Sequence, residues 1–294
     1  VAIPAAGEPF HAEIVSVDAD WQVTLGPDPA GRSISAAELA RWGSFCEPLH
    51  GQQLVLADGG LLVADLLEVD NKALAADSEV FGLIKLPVGF VAGAVLVPPA
   101  NRRKRDLLLD RVRSDSGNSD RVLLTNGDEL SGRIEQVRDD MLRLATELGA
   151  IDVELYRIRA FILDPSLRRR PEREGLRAIV GLHDGSRLVA DQLIVDDQSL
   201  EILVLRGTAL SAAKSELAAL QPIGGEVTYL SDLEPAGQRH VPYLELSWPP
   251  YRADRNVIGG LLRAGGQLHL KGLGVHSASR LTYDLSGAYR RFQA

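Results

Sequence analysis

Apolar and polar residues alternate along most of the chain in short runs separated by Gly, Asn and Asp, the period-2 signature of half-buried β-strands. Four segments repeat one version of that pattern. Each starts at a glycine (Gly7, Gly59, Gly127 or Gly185), and three of these follow Asp or Asn: Asp58-Gly59, Asn126-Gly127 and Asp184-Gly185. Such dipeptides reach the positive φ of a tight hairpin turn, so one strand enters and another leaves. Three residues after the glycine stands a large apolar residue (Phe10, Leu62, Leu130, Leu188) and five after it a small one (Ala12, Ala64, Gly132, Ala190). Ten after it stands a valine: Val17, Val69, Val137 and Val195. The first two positions share one face of the outgoing strand, and a large residue beside a small one suits a tightly curved sheet.

Two copies also share a return run, from Gly82 to Pro98 and from Gly149 to Pro165, 16 residues in both, with Leu96 and Leu163 two places before the proline. The fourth copy returns through Leu217-Ala-Ala-Leu220 to Pro222, one residue shorter. Each copy thus holds about four or five short strands, the content of a small SH3-like or Sm-like barrel. The run Leu123 to Ile134 resembles the opening of an Sm-type unit. Only the barrel shape carries over from that likeness, because a basic RNA-binding surface is not evident.

The predicted fold is all-β, with tandem small barrel-like repeats at 1–50, 51–99, 120–166 and 176–223. Between the second and third lies a linker, 100–119. Its stretch Asn101 to Arg113 places Leu108 and Val112 four apart among charges, as a short amphipathic helix would. Ser114 to Ser119 then reads as a flexible loop. A second linker, Ser166 to Gly175, carries Arg168-Arg-Arg170.

Composition narrows the function classes. The formal net charge of −8 over 294 residues argues against general nucleic-acid binding. The local basic runs, Arg102-Arg-Lys-Arg105 and Arg168-Arg-Arg170, lack interleaved aromatics and read as solvated linkers in preference to phosphate patches. The single cysteine, Cys46, excludes an intrachain disulfide or a cysteine-based zinc site, and reads as a buried thiol. No stretch approaches the ~20 apolar residues of a membrane helix. The start, Val1-Ala-Ile-Pro-Ala-Ala-Gly7, reads as what is left after removal of a signal peptide, or as a cut boundary, so an extracytoplasmic location is expected.

From Glu226 the repeat disappears and aromatics become frequent. The segments Val227-Thr-Tyr-Leu-Ser-Asp-Leu-Glu-Pro235, Trp248-Pro-Pro-Tyr-Arg-Ala-Asp-Arg-Asn-Val-Ile-Gly-Gly260, Lys271-Gly-Leu-Gly-Val-His-Ser277 and Leu281-Thr-Tyr-Asp-Leu285 resemble, in order and spacing, the NPCBM domain. That is the carbohydrate-binding module found beside family 98 glycoside hydrolases. The resemblance covers residues 226–294 and implies a galactose-binding-like jelly-roll sandwich that holds a sugar at its rim, often with a structural calcium ion. Sandwiches of this kind take on the order of 100 residues, so the module is expected to be truncated and the chain to be a fragment. Similar modules trail repetitive β-rich regions in large secreted or envelope proteins of bacteria.

Within that segment Trp248, Tyr251 and Arg255 are the first binding candidates, because sugars need an aromatic platform beside charged or amide donors. Two prolines stiffen Trp248-Pro-Pro-Tyr251 and could hold an aromatic outward; packing of Trp248 into the sandwich is the competing reading. His276 and Ser277 join the candidate site as hydrogen-bonding residues, with a core role for His276 standing beside it. With Asp284 they have the residue types of a nucleophilic triad, yet no strained elbow or Gly-x-Ser-x-Gly surrounds the serine. Lys271 precedes its glycines, the reverse of a P-loop. Asp139-Asp140, Asp196-Asp197, Asp18 and Asp70 recur at strand-to-strand turns, where turn chemistry explains them. The expectation is a non-catalytic protein with a glycan as partner, and protein partners for the repeats as the alternative.

Overall fold

The computed structural model describes residues 1–26, 31–48, 50–169, 175–205, 207–242 and 249–293. Its first 21 strands form one hydrogen-bonded network. The first copy contributes β1 (Ala2–Pro4), β2 (Ile14–Val17), β3 (Gln22–Leu25), β4 (Arg32–Ser35) and β5 (Leu39–Gly43). The second contributes β6 (Gln53–Leu56), β7 (Leu61–Val63), β8 (Asp65–Val69), β9 (Ala73–Ser78), β10 (Gly82–Pro87) and β11 (Val91–Val95). After a helix come β12 (Asp120–Leu124), β13 (Glu129–Arg138), β14 (Met141–Thr146), β15 (Gly149–Glu154) and β16 (Ile158–Ile162). The fourth copy holds β17 (Arg177–Leu182), β18 (Arg187–Val195), β19 (Ser199–Val204), β20 (Thr208–Ala213) and β21 (Leu217–Ile223).

The repeated residues have repeated jobs. Gly7, Gly59, Gly127 and Gly185 have φ of 97°, 96°, 100° and 93°. The preceding Asp58, Asn126 and Asp184 each accept the N–H two residues on, from Gly60, Asp128 and Ser186, which locks the turn. The long second strand changes partner at the small fifth position. Gly132 pairs with Asp120 of β12, and the next residue, Arg133, already pairs with Ala145 of β14. A Cβ on Gly132 would stand 2.3 Å from the Ala145 carbonyl oxygen, so the bend itself demands the small residue.

In all four copies the last strand pairs back onto the first, β5 on β1, β11 on β6, β16 on β12 and β21 on β17, so copies three and four order their strands fifth, first, second, third, fourth. The last two strands of each copy are joined by a short 3₁₀ turn, such as Leu155–Arg157, and by no ladder among the described residues. The barrel-like expectation therefore resolves into curved sheets without a closed barrel.

Copies then join in twos. Val69 pairs with Val137 and Val17 with Val195, so the four valines at the tenth position are the contact between copies two and three and between copies one and four. The last strands pair as well: Gly93, Ala94 and Val95 with Ile162, Phe161 and Ala160, and Gly43 and Trp42 with Ala219 and Leu220. A Cβ on Gly43 or Gly93 would come within 2.0 or 2.2 Å of a carbonyl oxygen of the facing strand, which fixes glycine at both crossings. Arg187 of β18 pairs with Leu61 of β7 and links one pair of copies to the other. A single hydrophobic cluster runs from Ala2 to Leu220 through all four.

The linker folds as α1 (Arg102–Ser114), with the Asn101 side chain capping the Lys104 N–H at 3.1 Å. It buries Leu109 and Val112, with Leu108 at the margin, against Val55, Leu61, Ala160 and Ile162. The linker arginines are not merely solvated. Arg102 and Arg105 lie 3.6 and 3.4 Å from Glu47. Arg168 donates to the carbonyls of Val112 and Arg113, which the last helical turn leaves open, and to those of Ala92 and Leu163. Sequence reading missed both roles because the partners are remote along the chain; Arg170 lies outside the described residues. Among the described residues no helix is long and apolar enough to cross a membrane.

Candidate functional site

The segment from residue 226 builds differently. Its strands are β22 (Gly237–His240), β23 (Tyr251–Ala253), β24 (Leu262–Ala264), β25 (Gln267–His269), β26 (Leu273–Val275) and β27 (Ser279–Thr282). They pair as three separate two-stranded ladders, β22 with β27, β23 with β26 and β24 with β25. Leu268 is the one large apolar side chain buried among the described residues here, and it packs outside the segment, on Phe45 and Ala219 of the repeats. An isolated bridge joins the backbones of Phe45 and Leu268.

Polar contacts complete the seat. Arg263 donates to Glu47 (2.8 and 2.9 Å) and to Asp106 of α1 (2.7 and 3.1 Å). Asp106, only 5% exposed, also accepts the Leu261 N–H at 3.0 Å. The Arg263 hydrogen bonds hold the Glu47 carboxyl below its ordinary value, and the same two carboxylates push the Arg263 guanidinium up. The Tyr229 hydroxyl donates to the Ala40 carbonyl at 2.8 Å, and burial raises its pKa.

The segment is clamped internally by Lys271. Its ammonium donates to Asp232 and, at 2.9 Å, to Asp254, and stands 6.0 Å from the Tyr229 ring centroid. Burial pulls this amine down, but the bonds to Asp232 and Asp254 outweigh it and hold the amine above its ordinary value. The Tyr-Leu-Ser-Asp, Asp254 and Lys-Gly-Leu-Gly elements of the signature are thus one ion-paired knot. Asp232 and Asp254 close on this ammonium, and no group of three or more His, Cys, Asp or Glu converges among the described residues.

Among the candidate binding residues, Trp248 lies outside the described residues. Tyr251 opens β23 opposite Val275, half-buried. The nearby Tyr283 hydroxyl is buried without a hydrogen-bond partner; burial first, then the Tyr251 phenol, raises its pKa. His276 follows β26, its ring 5.3 Å from that of His240 and tilted by 32°. His240 Nδ1 lies 3.1 Å from Ser279 Oγ. Ser277 is exposed in the next turn. Arg255 is engaged elsewhere: its Nε donates to Asp110 of α1 at 3.3 Å and Nη1 to the Asp254 carbonyl at 2.7 Å. The structure thus puts Tyr251 and His276 on paired or adjoining strands and ties Arg255 to the repeats. Asp284 binds the N–H and hydroxyl of Ser286. Cys46 is half-buried, its Sγ 4.0 Å from His183 Nδ1, and burial and the Asp184 charge push the thiol up, away from the reactive thiolate.

The sequence signal missed His240, Tyr283 and the Glu47–Asp106–Arg263 knot, whose arginine lies 157 and 216 residues from its two carboxylates. Comparison with curated proteins finds no match. The model of the NPCBM/NEW2 domain, a carbohydrate-binding module family, matches residues 226–294, the segment that carries these ladders and the Lys271 knot.

Proposed function

We propose that the chain is a non-catalytic carbohydrate-binding or adhesion protein of the bacterial cell envelope or exterior, which takes its glycan through the C-terminal module. The family match of residues 226–294 carries this reading. Tyr251, His276 and Ser277, with Trp248, supply the aromatic and hydrogen-bonding groups a sugar needs. Arg255, engaged with Asp110, stands at the edge of that face as a residue that seats the module. The repeats act as the rigid mount.

A glycan array probed with the full chain tests the proposal, followed by calorimetry on the best ligand. Tyr251→Ala and His276→Ala should each weaken binding by about tenfold, the loss of one stacking or hydrogen-bonding partner, with the melting temperature unchanged. An array without signal above background rejects the reading. One observation favours a second reading, a scaffold whose repeats bind protein: the module spends its buried apolar side chain, Leu268, on the repeats. In that case a partner protein co-purifies with the chain and binding survives Tyr251→Ala. A place as accessory region of a larger glycoside hydrolase fits either reading.

A further inference from the structure

Beneath the last turn of α1 lie two guanidinium groups without carboxylate partners of their own. Arg187, at the head of β18, is 6% exposed, and its Nη1 is buried with no hydrogen-bond partner. Its strand partner Leu61 belongs to the cluster that receives Leu109 and Val112 of α1. Arg113 follows Val112, and its Nε is likewise buried and unpartnered. The third guanidinium, Arg255, arrives from the module and pairs with Asp110, one turn before Arg113 on the same helix.

The carboxylates nearby are already engaged. Glu47 and Asp106 are held by Arg263, Asp110 by Arg255, and the buried Asp58, whose charge also acts on Arg113, accepts the Gly60 N–H. Among the described residues no ion pair reaches Arg113 or Arg187. The cations also feel one another. Burial lowers the Arg113 guanidinium to about 10, with the Arg255 charge adding to it and Asp110 and Asp58 opposing; burial lowers Arg187 to about 10, with Arg113 and then Arg255 adding and Asp106 and Glu47 opposing. A buried charge that no ion pair reaches and a buried donor without an acceptor both destabilise the fold. One small anion would cancel both costs at once.

We propose that Arg113, Arg187 and Arg255 form a binding site for a small tetrahedral oxyanion, phosphate or sulfate, which locks helix α1, the repeats and the C-terminal module together. Guanidinium groups suit such an ion because each offers paired N–H donors to its oxygens. The depth of Arg187 excludes a polymer, so this site is separate from any glycan site and independent of the function proposed above.

Titration calorimetry of the full chain with inorganic phosphate, and separately with sulfate, in chloride of matched ionic strength tests the site. A saturable one-site isotherm at millimolar or tighter affinity is expected. It should weaken about tenfold or more in Arg255→Gln, through loss of a charge-assisted hydrogen bond, and vanish in Arg187→Met. Binding of both ions marks a general oxyanion site, and binding of phosphate alone a phosphate site. Thermal unfolding gives a second readout that a merely structural arginine would not produce. Arg187→Met should melt at or above the parent in chloride, where it removes an unpaired buried charge, and below it in phosphate. No saturable heat with either ion, or an Arg187→Met variant equally destabilised in both salts, overturns the site.

Discussion

The repeats and the C-terminal module are built of the same kind of strand but are stabilised in opposite ways. The repeats bury a continuous cluster in which Phe161, Leu54, Leu62, Leu142 and Ile158 are fully sequestered. The described module residues bury one large apolar side chain, and that side chain rests on the repeats. Burying a side chain of this size contributes about 1.5–3 kcal/mol, so the repeats can hold themselves and the described module strands cannot. Polar chemistry fills the gap: the Arg263 seat and the Lys271 knot are ion pairs where a sandwich would have apolar layers. Strands joined this way keep their place only while the surface beneath them is intact.

The harshest test of that dependence is Phe161→Ala, which empties the center of the third copy beside its ladder to β11. The expected loss is about 3–5 kcal/mol. Urea unfolding should show the module's hydrogen-exchange protection disappearing in the same transition as that of the repeats. Module protection that outlasts the repeats would mean the module is autonomous, and the contrast would be lost.

Asp106→Ala attacks the seat from the repeat side. It removes the acceptor of both Arg263 and the Leu261 N–H, while Glu47 still holds Arg263, so an effect of about 1–3 kcal/mol follows. Faster exchange and proteolysis should appear within residues 226–293, with the midpoint of the repeats nearly unmoved. An equal fall in both regions would show the knot to be part of one common core.

How much of this contrast the sequence displays depends on the range of the interactions. The turn glycines, the small residue at the strand bend and the buried valines recur at fixed spacing because each does a local job in every copy, and a local job leaves a periodic trace. Which valine meets which leaves none: Val17 could face any of three others, and only the assembled fold pairs it with Val195. Arg168 reads as linker charge because the carbonyls it satisfies belong to α1 and β11. Arg255 reads as a sugar ligand beside Tyr251 because nothing local announces Asp110. Lys271 was legible only as something other than a phosphate loop. Its partners come from two signature elements, so the motif's order reflects an ion-paired knot as well as any binding surface.

Acid should separate the regions without mutation. The Glu47 carboxyl is held below its ordinary value of 4.5, so its contribution is complete above that pH and lost as pH falls through the lower, folded value. The sign is the usual one for a carboxylate gaining a cation, and its size is modest because Glu47 remains partly exposed. Below about pH 4, the amides of β24 and β25 should lose protection before those of β12 and β16. Simultaneous loss would place the acid sensitivity in the repeats instead.

The mildest comparison uses two hairpin glycines that both have open space around a would-be Cβ. Gly149, φ 121°, turns β14 into β15, and Gly265, φ 56°, turns β24 into β25. Alanine is disfavoured at either by about 1 kcal/mol, more at Gly149, whose φ lies outside the left-handed helical region that alanine can still enter. If the repeats unfold as one body, Gly149→Ala lowers their common midpoint by that amount. Gly265→Ala should leave the same midpoint in place and appear only as faster local exchange around Leu268. A drop in the common midpoint from Gly265→Ala would show that the module's hairpin helps hold the repeats, reversing the direction of support argued from Leu268.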